Sequence, residues 1–146
     1  MKLLIFCCAL ALTLASCQKD NTTTIDTAKP NGTFTTERQG TFTAENGTPT
    51  QGAASIGKDT DGKQWVRLGS DFKTELGTGT ATVYLSTSAT YTASPGTGNP
   101  DLRLVGIVGA NGESYYKVAT PVGATFTHVI IWCGSAGVPF GNAKLQ

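Results

Sequence analysis

No window of this chain sustains a helical hydrophobic period, and that limits its fold more than any other feature. Apolar residues come instead in short alternating runs, such as Gln64-Trp65-Val66-Arg67-Leu68 and Thr80-Ala81-Thr82-Val83-Tyr84-Leu85-Ser86. Alternation with period two sends one side of a segment toward a core and the other toward solvent, the pattern of a strand. Threonine, β-branched aliphatics and aromatics are spread evenly, and 18 glycines punctuate them, while only 14% of residues are charged. Branched and aromatic side chains suit a pleated surface, and glycine suits the turns between strands. The expected architecture is all-β: a single-domain β-sandwich or small barrel of about seven to nine mostly antiparallel strands.

The first residues stand apart. Lys2 precedes an apolar run from Leu3 to Leu14, and small residues follow. At about a dozen residues the run falls short of the roughly 20 that a spanning helix needs, so residues 1–16 read as an export signal peptide. Leu14-Ala15-Ser16-Cys17 resembles the lipobox of bacterial lipoproteins, in which cleavage leaves the cysteine as a lipidated N-terminus. The expected partner is therefore a lipid bilayer, reached through acyl chains such as palmitate on Cys17, each buried methylene adding about 0.8 kcal/mol. Residues 17–31 are polar and cannot bury enough surface to order themselves, so they read as a tether. Residues 32–146 form the β domain. The expected location is the cell envelope, at the outer membrane or cell surface of a Gram-negative bacterium. Loss of the leader removes Lys2 and leaves basic and acidic residues equal in number, without the basic excess that a nucleic-acid partner requires.

Within the domain, Gly32-Thr33-Phe34-Thr35 and Gly40-Thr41-Phe42-Thr43 read as two strand halves around a bend. Asn46-Gly47 and Asp61-Gly62 are hairpin-type turns. Residues 51–58 and 64–68 should pair, and 80–86 should form a strong strand. Residues 87–100 read as a long surface loop carrying Tyr91. Residues 102–108 and 113–118 read as a hairpin about Gly109-Ala110-Asn111-Gly112. Residues 125–133 make the last long strand, and residues 134–146 dock the C-terminus.

The chemistry-bearing residues are few. The chain has one histidine, His128, and its single methionine is Met1, so the ligands of a blue-copper or tetrahedral zinc site are lacking. Neither a Cys-x-x-Cys dithiol nor a Cys-x-x-Cys-His haem attachment occurs. No cofactor is identifiable from the residues, and an externally supplied redox cofactor is compatible with them. Asp59-Thr60-Asp61-Gly62 resembles the opening of a calcium loop but lacks the remainder, which favours a hairpin turn. His128 and Cys133 suggest a nucleophile–base dyad, yet positions five apart on a strand face opposite ways. His128 should share a face with Phe126, Ile130 and Trp132, and Cys133 with Val129 and Ile131. Without an identifiable pair of this kind, independent enzyme activity is not expected. Cys7 and Cys8 lie in the leader and Cys17 closes the lipobox, so Cys133 is the one side-chain thiol of the mature domain. An odd cysteine in an exported chain is either a reactive group or a small buried hydrophobe. Cys133 precedes Gly134-Ser135-Ala136-Gly137, where a rim position would leave it within reach of a partner.

Val129-Ile130-Ile131-Trp132-Cys133, followed by Val138-Pro139-Phe140-Gly141-Asn142-Ala143-Lys144-Leu145, resembles the C-terminal signature of the DM-thirteen domain, found beside DOMON domains in Skeletor-like animal proteins. Gly52-Ala53-Ala54-Ser55-Ile56, Asp61-Gly62, Val66-Arg67-Leu68 with Asp71-Phe72, Val83-Tyr84-Leu85-Ser86, Leu104-Val105-Gly106, Gly112 and Tyr116 are similar to its other segments in order. The family's usual Gly-Pro-Asp element before the Tyr-Leu-Ser strand reads Gly79-Thr80-Ala81 here. The resemblance implies an all-β fold and an electron-transfer accessory role centred on Cys133, with Trp132 and Tyr116 as neighbours and a redox protein as partner. The alternative function is a non-catalytic binding or adhesion module in which Cys133 is structural and the 87–100 loop makes the contacts.

Overall fold

The computed structural model describes residues 29–92 and 99–146. The export signal, Cys17, the tether up to residue 28 and residues 93–98 of the surface loop lie outside the described residues. The described chain forms eight strands: β1 (Thr35–Ala44), β2 (Ala53–Lys58), β3 (Gln64–Leu68), β4 (Ala81–Ser86), β5 (Leu102–Ile107), β6 (Ser114–Lys117), β7 (His128–Cys133) and β8 (Val138–Lys144). They join in one sheet in the order β5-β4-β7-β8-β1-β2-β3-β6, and every ladder is antiparallel. The two end strands return toward each other, so the sheet curls into a nearly closed barrel. Small barrels fill their interior with side chains.

Alternation decides what that interior contains. Val83 and Leu85 of β4, Val66 and Leu68 of β3, Val129 and Ile131 of β7 and Ile56 of β2 are fully buried together, with Phe72 and Phe140 beside them. Removing a side chain of this size from water is worth about 1.5–3 kcal/mol, so this set supplies the main drive for closure. Two irregularities tune the alternation. Pairing of β7 with β8 shifts between Ile131 and Trp132, which leaves Phe140 as the extra residue and directs it into the core. Its carbonyl accepts from Glu45 N at 2.9 Å and from Thr48 Oγ1 at 2.6 Å. Pairing of β4 with β5 shifts between Val83 and Tyr84, with Val105 as the extra residue.

The strands expected at 51–58, 64–68 and 80–86 appear as β2, β3 and β4, and residues 32–44 provide a single strand, β1, that pairs first with β2 and then with β8. Three expectations need correction. Residues 102–108 and 113–118 do not form a hairpin: β5 pairs with β4, β6 pairs with β3, and no ladder joins them. A Cβ on Gly106 would run into the ring of Tyr116, so a side chain fills the gap where ladder bonds would run. The segment after Cys133 is more than a docked tail, since it forms β8 at the centre of the sheet. Phe126 does not share the face of His128, because it precedes β7 and packs in the core.

The Asp59 turn is a hairpin turn, as its sequence suggests. Oδ1 of Asp59 accepts from the backbone N–H of Asp61 at 3.0 Å and of Lys63 at 2.9 Å. Oδ2 accepts from the Trp65 indole at 2.9 Å and from Asn31 N at 3.2 Å. Both carboxylate oxygens are thus engaged by protein donors.

Candidate functional site

Cys133 closes β7, opposite Ala81 of β4 and Val138 of β8. Alternation along β7 turns Val129, Ile131 and Cys133 inward, and Cys133 has no solvent exposure. It is a free thiol. The rim position expected from sequence is therefore a covered one.

The cover consists of two short segments with polar side chains. After Cys133 the chain turns through residues 134–137, closed by a hydrogen bond of 2.9 Å from Gly137 N to the Cys133 carbonyl. The turn brings Ser135 Oγ to 3.3 Å from Cys133 Sγ. Thr78, in the segment before β4, places its Oγ1 at 3.9 Å from the same sulfur. The hydroxyl of Ser135 also donates to the Thr78 carbonyl at 2.7 Å, which latches the two segments together. Gly79 makes room for the latch. It has φ of +126°, and a Cβ there would overlap Ser135 Oγ. A thiol buried purely as a hydrophobe needs no such partners.

These contacts also set the acidity of the thiol. The hydrogen bond from Ser135 is the main cause holding the Cys133 pKa below its ordinary value; burial pushes the other way, and the backbone of Ala136 and the Thr78 hydroxyl add to the lowering. Ser135 has one hydroxyl hydrogen and two acceptors, the Thr78 carbonyl and the sulfur. In the thiol form it donates to Thr78 and accepts from Sγ–H; in the thiolate form it turns to donate to sulfur. Ser135 is itself exposed, so it connects a buried sulfur to water.

The other residues singled out from sequence fall in different places. Trp132 adjoins Cys133 in the chain, but its ring lies on the outer face. There it stacks on Tyr91, with ring centroids 3.8 Å apart and planes at 15°. Tyr84, on the same face of β4, meets Tyr91 edge-on at 5.1 Å. Ile130 is fully buried but outside the interior cluster, so the outer face is covered here, where Tyr84 lies directly opposite it. Leu104 and Ile107 of β5, the partners of Tyr84 and Thr82, are 56% and 63% exposed beside this group. Tyr116 instead closes the seam against Gly106 on β5, two strands away from β7.

His128 and Cys133 are on opposite faces, as alternation requires. Thr127 Oγ1 donates to the Thr87 carbonyl at 3.1 Å, so it accepts from Nδ1–H of His128 at 2.9 Å. Burial, and then the Lys144 charge, hold the His128 pKa below its usual value, so this imidazole is neutral at neutral pH. Sequence reasoning did not single out Ser135 or Thr78, because only the fold brings residues 78 and 135 to one sulfur. Tyr91 was noted only as the aromatic of a loop.

Among the described residues, no three His, Cys, Asp or Glu side chains converge. The groups around Sγ are hydroxyls and backbone amides, a set suited to a thiolate.

Fold and site together define an all-β barrel domain with one interior thiol under a hydroxyl latch. The family model described as electron transfer DM13 matches residues 41–145, which include Cys133 and strands β2 to β8. The chain belongs to that family. Comparison with curated proteins and comparison with solved structures each gave no match.

Proposed function

We propose that this protein is a membrane-tethered electron-transfer accessory domain in which Cys133 is the redox-active group. The observation that carries this reading is the Ser135–Thr78 latch on an otherwise fully buried sulfur. Burial selects among thiol chemistries. Thiol–disulfide exchange needs an attacking sulfur in contact with its target, and Cys133 offers no such access while the latch is closed. Loss of one electron to a redox-protein partner needs no contact. The Sγ–H bond gives up its electron and its proton, the proton passing through Ser135 Oγ to water, and a thiyl radical remains. The partner gains one electron. Lipidation at Cys17 would hold the domain at the outer membrane or cell surface, with the polar tether before Asn31 as spacer.

The test is oxidation of the native full-length chain by photo-oxidised ruthenium tris-bipyridine, too bulky to enter the barrel, in air so that dioxygen traps the thiyl as an oxyacid. After unfolding, the Cys133 thiol is followed by alkylation and peptide mass spectrometry, apart from Cys7, Cys8 and Cys17. We expect loss of the Cys133 thiol in the native protein and slower loss in Ser135→Ala, where the proton exit is removed. A Cys133 thiol that stays intact until the chain unfolds would overturn the proposal. The complete burial of Cys133 and the exposed Leu104 and Ile107 favour a second reading, a binding or adhesion module with a structural cysteine. That outcome would put it first.

A further inference from the structure

We infer that Trp132 and Tyr91 form a one-electron relay that links Cys133 to the outer surface of the barrel. The inference rests on the reading of Cys133 as a redox group, and its test separates the two.

Three observations converge on the relay. The side chains of this chain that yield an electron to a moderate oxidant are its thiol, phenols and indoles, since the sole methionine is Met1. Two of the four tyrosines and one of the two tryptophans gather on one patch behind the end of β7, while Trp65 is buried elsewhere with its indole on Asp59. Second, the Tyr91–Trp132 centroids are 3.8 Å apart with planes at 15°, closer than the roughly 4.5–7 Å of the offset and edge-on arrangements that ring pairs favour. Face-to-face π overlap lets an electron pass between the rings. Third, Trp132 and Cys133 are consecutive residues on opposite faces of one strand. A single peptide unit therefore bridges the interior sulfur and the outer ring stack, across a wall that otherwise separates them.

Tyr84 borders the pair edge-on, with ring centroids 5.1 Å from Tyr91 and without the face-to-face overlap of the stack. Toward solvent the group ends in half-buried Tyr91 and the exposed apolar shoulder of Leu104 and Ile107 on β5.

A one-electron oxidant at the surface removes an electron from the stacked pair and is reduced by one. Cys133 refills the hole with the electron of its Sγ–H bond and releases the proton through Ser135 to water. The rings end unchanged and sulfur ends as a thiyl radical. A one-electron donor with a proton from water runs the sequence backwards.

Flash photolysis of the full-length chain with ruthenium tris-bipyridine and persulfate reads the relay through the absorption of indolyl and phenoxyl radicals. In the native chain both signals should be short-lived, and Cys133→Ala should lengthen them by at least an order of magnitude. Within Cys133→Ala, the indolyl signal should decay as a phenoxyl signal grows, the Tyr91 phenolic proton passing to water, and Tyr91→Phe should abolish that growth. Trp132→Phe should slow thiol loss by at least an order of magnitude with the far-UV circular dichroism of the barrel and a cooperative thermal transition kept. Since Tyr91→Phe and Trp132→Phe probe the two rings separately, failure of one variant to fold leaves the other decisive. Thiol loss that is as fast in Trp132→Phe as in the native chain overturns the relay and leaves Cys133 redox-active. Radical lifetimes unaffected by Cys133→Ala overturn the thiol reading as well, even if an electron still passes between Trp132 and Tyr91.

Discussion

Asp59 and Cys133 are both polar and both buried, and in each the surroundings favour the charged form. For Cys133 the chief stabilising group is one hydroxyl, shared with a carbonyl, with the Ala136 backbone and the Thr78 hydroxyl adding to it. For Asp59 it is a full set of donors. Burial alone would push the Asp59 carboxyl up, but the hydrogen bond from the Trp65 indole and the backbone N–H groups of Lys63, Asn31 and Asp61 outweigh it, and the pKa falls below 3.8. A carboxyl whose folded pKa is depressed contributes stability that is complete above its unfolded pKa and lost as pH falls through the folded one. The urea midpoint should therefore be level near neutral pH and drop once pH goes below about 4. Asp59→Asn should lower the midpoint at pH 7 and flatten the acid drop. An acid drop of undiminished size in Asp59→Asn would show that other carboxyls cause it. Gly79 belongs to the same scale: its φ of +126° and missing Cβ are what let Ser135 reach both the sulfur and the Thr78 carbonyl.

At the scale of elements, the seam between β5 and β6 sets the shape of the barrel. These strands are neighbours in sequence, separated by a turn, and the usual outcome would be a hairpin. Each instead completes a ladder elsewhere, and the ring of Tyr116 lies over Gly106 between them. Gly106→Ala should then be destabilising by overpacking, on the order of 1–3 kcal/mol, seen as a lower denaturant midpoint with unchanged m-value. Tyr116→Leu in the same chain should recover part of that loss, because two residues in contact couple in a double-mutant cycle. Equal losses with and without Tyr116 would mean that the seam is not held by this contact. The irregularity at Phe140 works in the opposite sense, adding a residue to β8 so that a large ring enters the core beside the end of β7. Irregular pairing of this kind is frequent next to functional sites.

For the whole molecule, the eight strands of the described residues form one continuous sheet. Gln39 and Gln146 exchange backbone hydrogen bonds of 3.0 and 2.9 Å, which ties the C-terminus to β1. Placement of this body at a membrane is a separate matter, and in the proposed reading it depends on Cys17. Cys17→Ser should move the protein from the membrane fraction to the soluble one and abolish labelling with radioactive palmitate, with the fold of the domain unaltered. Retention at the membrane by the serine variant would require another anchor. Much of the architecture was legible in the sequence. Period-two alternation is a local property, and it determined the all-β class, the positions of β2, β3 and β4, and the opposed faces of His128 and Cys133. The ordered motifs from Gly52 to Leu145 pointed to the family. Which strands pair was not legible, because ladder choice depends on how the whole sheet closes over its core; that is why β5 and β6 part and why the segment after Cys133 becomes a central strand. The site was half legible for the same reason. A lone thiol can be counted in a sequence, but its burial, the latch made from residues 78 and 135, and the stack that joins residues 91 and 132 arise only when curvature brings distant segments to one point.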